Sequence, residues 1–140
     1  NFNINYFVNF SLIDSEYTSS ITPGITGKKV EFVPKVNLKT GLKVGYKNYS
    51  LNLQYSYLSD QFSDSTNALS GNLSGVIGLI PAYNVLDLSS SVSRGRFRFE
   101  LGVNNVSNEI YFTRRATGYP GPGIIPSPNR NVYLTVQFKI

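Results

Sequence analysis

Phe2-Asn3-Ile4-Asn5-Tyr6-Phe7-Val8-Asn9-Phe10-Ser11-Leu12 places an apolar side chain at every even position and, Phe7 apart, a polar one at every odd position. A period of two sustained over eleven residues is the signature of a β-strand, because successive side chains then fall on opposite faces. On a helix the same residues would scatter around the cylinder.

The pattern recurs. Leu38, Thr40, Leu42, Val44 and Tyr46 alternate with Asn37, Lys39, Gly41, Lys43 and Gly45. Tyr49, Leu51, Leu53, Tyr55 and Tyr57 alternate with Ser50, Asn52, Gln54 and Ser56, and more weakly Leu86, Leu88 and Val92 with Asp87, Ser89, Ser91 and Ser93. Phe97, Phe99, Leu101 and Val103 oppose Arg96, Arg98, Glu100, Gly102 and Asn104. Last, Val132, Leu134, Val136, Phe138 and Ile140 oppose Asn131, Tyr133, Thr135, Gln137 and Lys139. These six strands are expected to be antiparallel and mostly longer than the ~5–6 residues usual in globular proteins. A tilted strand needs ~9–11 residues to cross a membrane.

The connections alternate as well. Two are tight, Lys47-Asn48 and Ser93-Arg94-Gly95, and three are long, residues 18–34, 60–82 and 112–129. Every proline falls in or beside the long ones: Pro23, Pro34, Pro81, Pro120, Pro122, Pro126 and Pro128. Short turns at one end and long loops at the other are the habit of outer-membrane β-barrels, whose turns are periplasmic and whose loops are extracellular. The first strand then runs outward, and Ile140 lies at the periplasmic rim. A soluble β-sandwich would use the same alternation to build a core, and the pattern alone leaves it in play. The loop asymmetry favours the barrel.

Composition narrows the chemistry. The chain has 140 residues and reads as one domain, 1–140, without linker or charge run; it starts at Asn1 and has no methionine, so a fragment or processed chain is expected. No signal peptide is present to set the compartment. Cysteine and histidine are both absent, which removes disulfides, thiolate metal sites and the usual Ser-His-Asp and Cys-His catalytic sets. An enzyme is therefore not expected, nor is a cofactor. The mean hydropathy of −0.13 suits strands that are apolar on one face only.

If the apolar parity faces lipid, the charges sort onto the other. Lys35, Lys39, Lys43 and Lys47 share the inward parity of the second strand, Arg96, Arg98 and Glu100 that of the fifth, and Lys139 that of the sixth. None is expected on the lipid parity within the membrane-length portions. A basic inner wall can attract anions or hold a plug carrying carboxylates; alternatively, the lumen simply requires polar residues. With the basic residues turned inward, nucleic-acid binding is not expected. Six strands are too few to close a membrane barrel, so the rest of the wall is expected upstream or in another chain.

Gly102-Val103-Asn104-Asn105-Val106-Ser107-Asn108-Glu109-Ile110-Tyr111 resembles the element that ends the penultimate strand of TonB-dependent outer-membrane receptors. Val132 to Ile140 resembles their closing strand, although Ile140 stands where that family favours phenylalanine. The stretches 32–41, 55–64 and 111–127 are similar to those of ferric-dicitrate-type receptors, especially of Bacteroidetes-like bacteria. The resemblance implies the last six strands of a ~22-stranded barrel in the bacterial outer membrane. It also implies a plug and a TonB-binding segment, both absent from this chain, and an imported iron chelate such as ferric citrate or a siderophore complex. Haem or an oligosaccharide as cargo, or a structural barrel in an envelope complex, are the alternatives.

Candidate residues follow. Arg114 and Arg115, beside Tyr119, could pair with chelate carboxylates, since guanidinium donors suit them; equally, they could pin the loop. Lys39, Lys43, Arg96 and Arg98 are the basic lumen candidates. Tyr133, Phe138 and Ile140 resemble the signal that barrel-assembly machinery recognises. Asp14, Glu16, Asp60 and Asp64 read as solvated loop charges and not as a metal site, and no metal is expected.

Overall fold

The computed structural model describes residues 2–119 and 121–140; Asn1 and Pro120, the latter assigned above to the third long loop, lie outside the described residues. Six strands form one antiparallel sheet: β1 (Phe2–Leu12), β2 (Val36–Tyr46), β3 (Tyr49–Leu58), β6 (Tyr83–Arg94), β7 (Phe97–Asn104) and β10 (Asn131–Phe138). Their order is β1-β2-β3-β6-β7-β10, a simple meander with each strand beside its predecessor in the sheet. All six strands read from alternation are present. The long loops add two small sheets that alternation did not reveal, β4 (Gln61–Phe62) with β5 (Leu79–Ile80), and β8 (Phe112–Ala116) with β9 (Gly123–Pro126).

The apolar face is bare. Phe10, Leu101 and Leu134 are 62%, 55% and 67% exposed, and the buried apolar residues, Ile25, Ile80 and Ala116, all lie outside the six-stranded sheet. A sandwich would cover this face with a second sheet; here nothing in the described chain does. A soluble monomer rarely leaves so large an apolar surface open.

Register reveals a layering that no single strand displays. One outward row runs Phe2, Tyr46, Tyr49, Val92, Phe99, Val136 across the whole sheet. The next two rows are mostly aliphatic: Ile4, Val44, Leu51, Ser90, Leu101, Leu134, then Tyr6, Leu42, Leu53, Leu88, Val103, Val132. Aromatic residues return toward the loops with Tyr55, Tyr57 and Phe10. Phe2 and Phe10 are eight steps apart, about 26 Å at ~3.3 Å per residue, or roughly 20 Å along the normal at ~40° tilt. Two aromatic belts around an aliphatic band of about this height match a membrane barrel wall.

Three expectations are corrected. The second tight turn is Gly95-Arg96, with Gly95 at φ +60°, and Arg94 pairs with Phe97. A two-residue loop favours positive φ, which glycine adopts without strain. Arg96 therefore sits in the turn and not on the inner wall. Arg94 correspondingly falls on the outward parity, in the last row before the turn. A cation there costs ~0–1 kcal/mol, against ~2–4 at the bilayer midplane. Finally, β10 stops at Phe138; Lys139 still donates its N–H to the Arg96 carbonyl at 2.9 Å, but Ile140 lies beyond the strand.

Candidate functional site

The polar face carries specific interlocks. Phe7, the lone apolar residue on that parity of β1, lies opposite Gly41, and its ring occupies the space a Cβ at Gly41 would need. Tyr133 does the same over Gly102. Aromatic cover of a strand glycine fills the gap left by the missing side chain. The Tyr133 hydroxyl reaches Glu100 Oε1 at 3.3 Å, and Glu100 Oε2 in turn faces Arg98 Nη2 at 3.5 Å. Ser50 and Ser91 share a hydrogen bond of 2.7 Å across β3 and β6.

Lys39 and Lys43 stand exposed on this face, as the parity required. Lys43, Ser50, Asn52, Ser91, Arg98 and Glu100 line an open cleft of about 210 Å³. The Nε of Arg98 is buried there without a hydrogen-bond partner among the described residues. The wall is thus less uniformly basic than its sequence suggests, because Glu100 engages Arg98.

At the other end the three long loops hold one another. Arg115, on β8, donates through Nη1 to the Gly75 carbonyl at 2.8 Å and through Nη2 and Nε to the Leu79 carbonyl at 2.9 and 3.3 Å. Its guanidinium also lies over the Phe112 ring, 5.1 Å from the centroid. This is the pinning role weighed above, joining the third loop to the second. Arg114 and Tyr119 are exposed, Tyr119 at 99%.

The first loop joins the second through a reciprocal pair. Lys29 N–H donates to Asn67 Oδ1 at 2.7 Å, and Asn67 Nδ2 donates to the Lys29 carbonyl at 2.8 Å. Phe32 N–H adds a bond to the Phe62 carbonyl at 2.9 Å. The Lys29 ammonium bonds Asp14 at 2.5 Å and stands 3.9 Å from Glu16. That hydrogen bond holds the Asp14 carboxyl below its ordinary range and raises the Lys29 ammonium. Tyr17 donates to Glu31 at 2.6 Å, and the neighbouring carboxylate lifts its hydroxyl pKa. Asp64 is taken up by Thr66 in its own turn. A cleft of about 210 Å³ opens between the first two loops, lined by Asp14, Lys29, Lys35, Asp60 and Gln61 with Phe62.

The residue that sequence reading undervalued is Asn105. It is 2% exposed, at φ +52°. Its Nδ2 donates to the Glu109 carbonyl at 2.9 Å, its Oδ1 accepts from Glu109 N–H at 2.8 Å, and its own N–H donates to Asp87 at 2.8 Å. Asn108, also at positive φ, accepts from Arg130 N–H at 3.0 Å, and Tyr111 stacks on Tyr83 at 4.5 Å. The Asn-rich element is therefore a knot that ends β7 and aims the third loop. Two asparagines three apart after a strand were the available signal, since asparagine tolerates the left-handed region and bonds nearby backbone.

No family model matches the chain. Among solved structures, it superimposes on the ferric citrate transporter FecA in its unliganded form with a TM-score of 0.85, at 21% identity, over 97% of this chain and 21% of that one. The siderophore receptor PiuA from Acinetobacter baumannii gives 0.78 at 20% identity, over 96% and 19%. The ferric yersiniabactin uptake receptor FyuA from Yersinia pestis gives 0.76 at 17% identity, over 96% and 21%. The chain spans about a fifth of the length of these proteins. Its fold is that of a segment of the β-barrel of iron-chelate transporters and receptors.

Proposed function

We propose that the chain is the closing part of the barrel of a TonB-dependent outer-membrane receptor that imports an iron chelate, either ferric citrate or a siderophore complex. The observation that carries this reading is a sheet of membrane height, bare and belted by aromatics outside, joined to a hydrogen-bonded loop layer. The fold shared with ferric citrate and siderophore receptors supports it. In this reading the remaining strands complete the wall, a plug fills the lumen, and TonB in the periplasm acts through the plug.

Roles divide by geometry. Arg115, with three donor atoms bonded to carbonyls of the second loop, sets the loop. Arg114 and Tyr119 are free to meet a carboxylate-rich chelate. Lys39, Lys43 and Arg98 face the lumen and favour the passage or docking of anions. Tyr133, Phe138 and Ile140 present the closing strand to the barrel-assembly machinery, Tyr133 from the polar face and Phe138 from the lipid face.

The test is uptake of radioactive iron, supplied as ferric citrate or as siderophore complexes, by cells whose only such receptor is the full-length protein. Arg114→Ala with Tyr119→Ala should weaken chelate binding while leaving barrel assembly intact. No uptake of any iron chelate by an assembled receptor would overturn the reading.

A further inference from the structure

The net charge of +5 is not spread over the molecule. At the loop end six cations (Lys28, Lys29, Lys35, Arg114, Arg115, Arg130) meet six carboxylates (Asp14, Glu16, Glu31, Asp60, Asp64, Glu109). Along the strands Lys39, Lys43 and Arg98 stand against Asp87 and Glu100, with Glu100 3.5 Å from Arg98. Most of the excess sits at the turn end: Lys47, Arg94, Arg96 and Lys139, without one Asp or Glu among them.

These cations are arranged against the lower aromatic belt. Lys47, in the first tight turn, places its ammonium 5.2 Å from the centroid of the outward-facing Tyr46 ring. Arg94 is the one charged residue on the outward rows of the six strands, and it shares its row with Phe97. Phe97 packs on Phe138 with centroids 5.0 Å apart. On the polar-face side of this pair a cleft of about 410 Å³ opens at the turn end, lined by Ser93, Arg96, Arg98, Gln137 and Lys139 with Phe97 and Phe138. Lys47, Arg94, Arg96 and Lys139 are all exposed.

We infer that this turn-end rim is a binding surface for acidic phospholipid headgroups in the leaflet on the turn side. The inference rests on the reading of the apolar face as lipid-facing. An aromatic belt marks the level of the headgroups, so cations just beyond it stand where lipid phosphates lie. Basic residues beside a membrane interface attract anionic lipid, and the attraction falls off within a Debye length. Outward Arg94, Lys47 over the Tyr46 ring and Arg96 in the turn meet headgroups directly, with the Phe97–Phe138 pair against the upper part of the acyl chains. A free aqueous anion would have no use for those rings.

The experiment uses the full-length protein in nanodiscs of equal parts phosphatidylcholine and phosphatidylglycerol. Spin-labelled lipids of each class report the fraction immobilised at the wall. The native protein should prefer phosphatidylglycerol, and high salt should shrink that preference. The variant Lys47→Asn, Arg94→Gln, Arg96→Gln, Lys139→Gln should lose it by at least about twofold, against an upper figure of roughly fivefold per basic residue. The loop-end control Lys28→Gln, Arg130→Gln should keep it. Insertion is checked separately, by flotation and heat-dependent electrophoretic mobility. An inserted protein with no preference, or with equal preference in the turn-end variant, overturns the lipid surface and leaves the membrane reading standing. A native protein that never inserts overturns both.

Discussion

The two faces of the six-stranded sheet are built on different rules. Outward, side chains need only be apolar and of the right breadth at the right height; Ile4, Leu51 and Leu134, in one row, are all exposed. Inward, neighbours are chosen individually: Phe7 for Gly41, Tyr133 for Gly102 and Glu100, Ser50 for Ser91. The outward face answers to a solvent, the inward face to particular partners. A solvent requires a property, whereas a partner requires a shape.

The sharpest way to break that contrast is to put one charge on each face of the same strand. Leu53 and Gln54 are adjacent on β3 and sit in neighbouring rows near mid-height. Leu53→Lys should destabilise the folded barrel by ~2–4 kcal/mol in lipid, read from urea unfolding in vesicles. Gln54→Lys, opposite Gly41 and Asp87, should change it little. Equal costs would mean that the outward face does not meet hydrocarbon.

An intermediate effect tests the inward rule. Gly102→Ala forces its new Cβ into the Tyr133 ring, and overpacking of that kind costs about 1–3 kcal/mol. Tyr133→Ser in the same chain should recover most of the loss, so that the double variant is more stable than the two single effects added. Simple additivity would show that the ring and the glycine do not interlock.

The smallest effect separates the loop layer from both faces. Asp14 has its pKa lowered by the Lys29 hydrogen bond, so its contribution is present above its unfolded value and is lost as pH falls through the folded one. Lys29 has its pKa raised, so its contribution is present below its unfolded value and is lost as pH rises through the folded one. The clasp of the first loop should therefore hold between about pH 4 and pH 10 and loosen outside that window. Amide exchange at Lys29 and Asn67 would show it, with the sheet unchanged. Both groups are exposed, so global stability should not register it.

Legibility tracked this division. Alternation made β1, β2, β3, β7 and β10 readable because a strand between lipid and lumen must change polarity at every residue. The second tight turn reads as Ser93-Arg94-Gly95 but forms at Gly95-Arg96, because Ser93-Arg94-Gly95-Arg96 offers similar polar choices and only pairing of Arg94 with Phe97 fixes the register. The hairpins β4–β5 and β8–β9 were invisible: they are short, proline-bearing at Pro126, and held by Arg115 and by backbone contacts far apart in sequence. The faces of Lys39, Lys43 and Arg98 follow from parity, but the pairing of Arg98 does not. Glu100 lies two residues from Arg98 in the chain, yet their engagement depends on strand geometry.

By itself, then, the sequence determined six alternating strands, their meander and the ends at which loops and turns lie, since each follows from local pattern and the length of the connections. Only the tertiary structure decided that the apolar face is left bare, that its aromatics align into two belts, and that Arg115 pins loops instead of standing free. Those features depend on register between strands. Register joins residues distant in sequence into one row, and no single stretch of chain carries it.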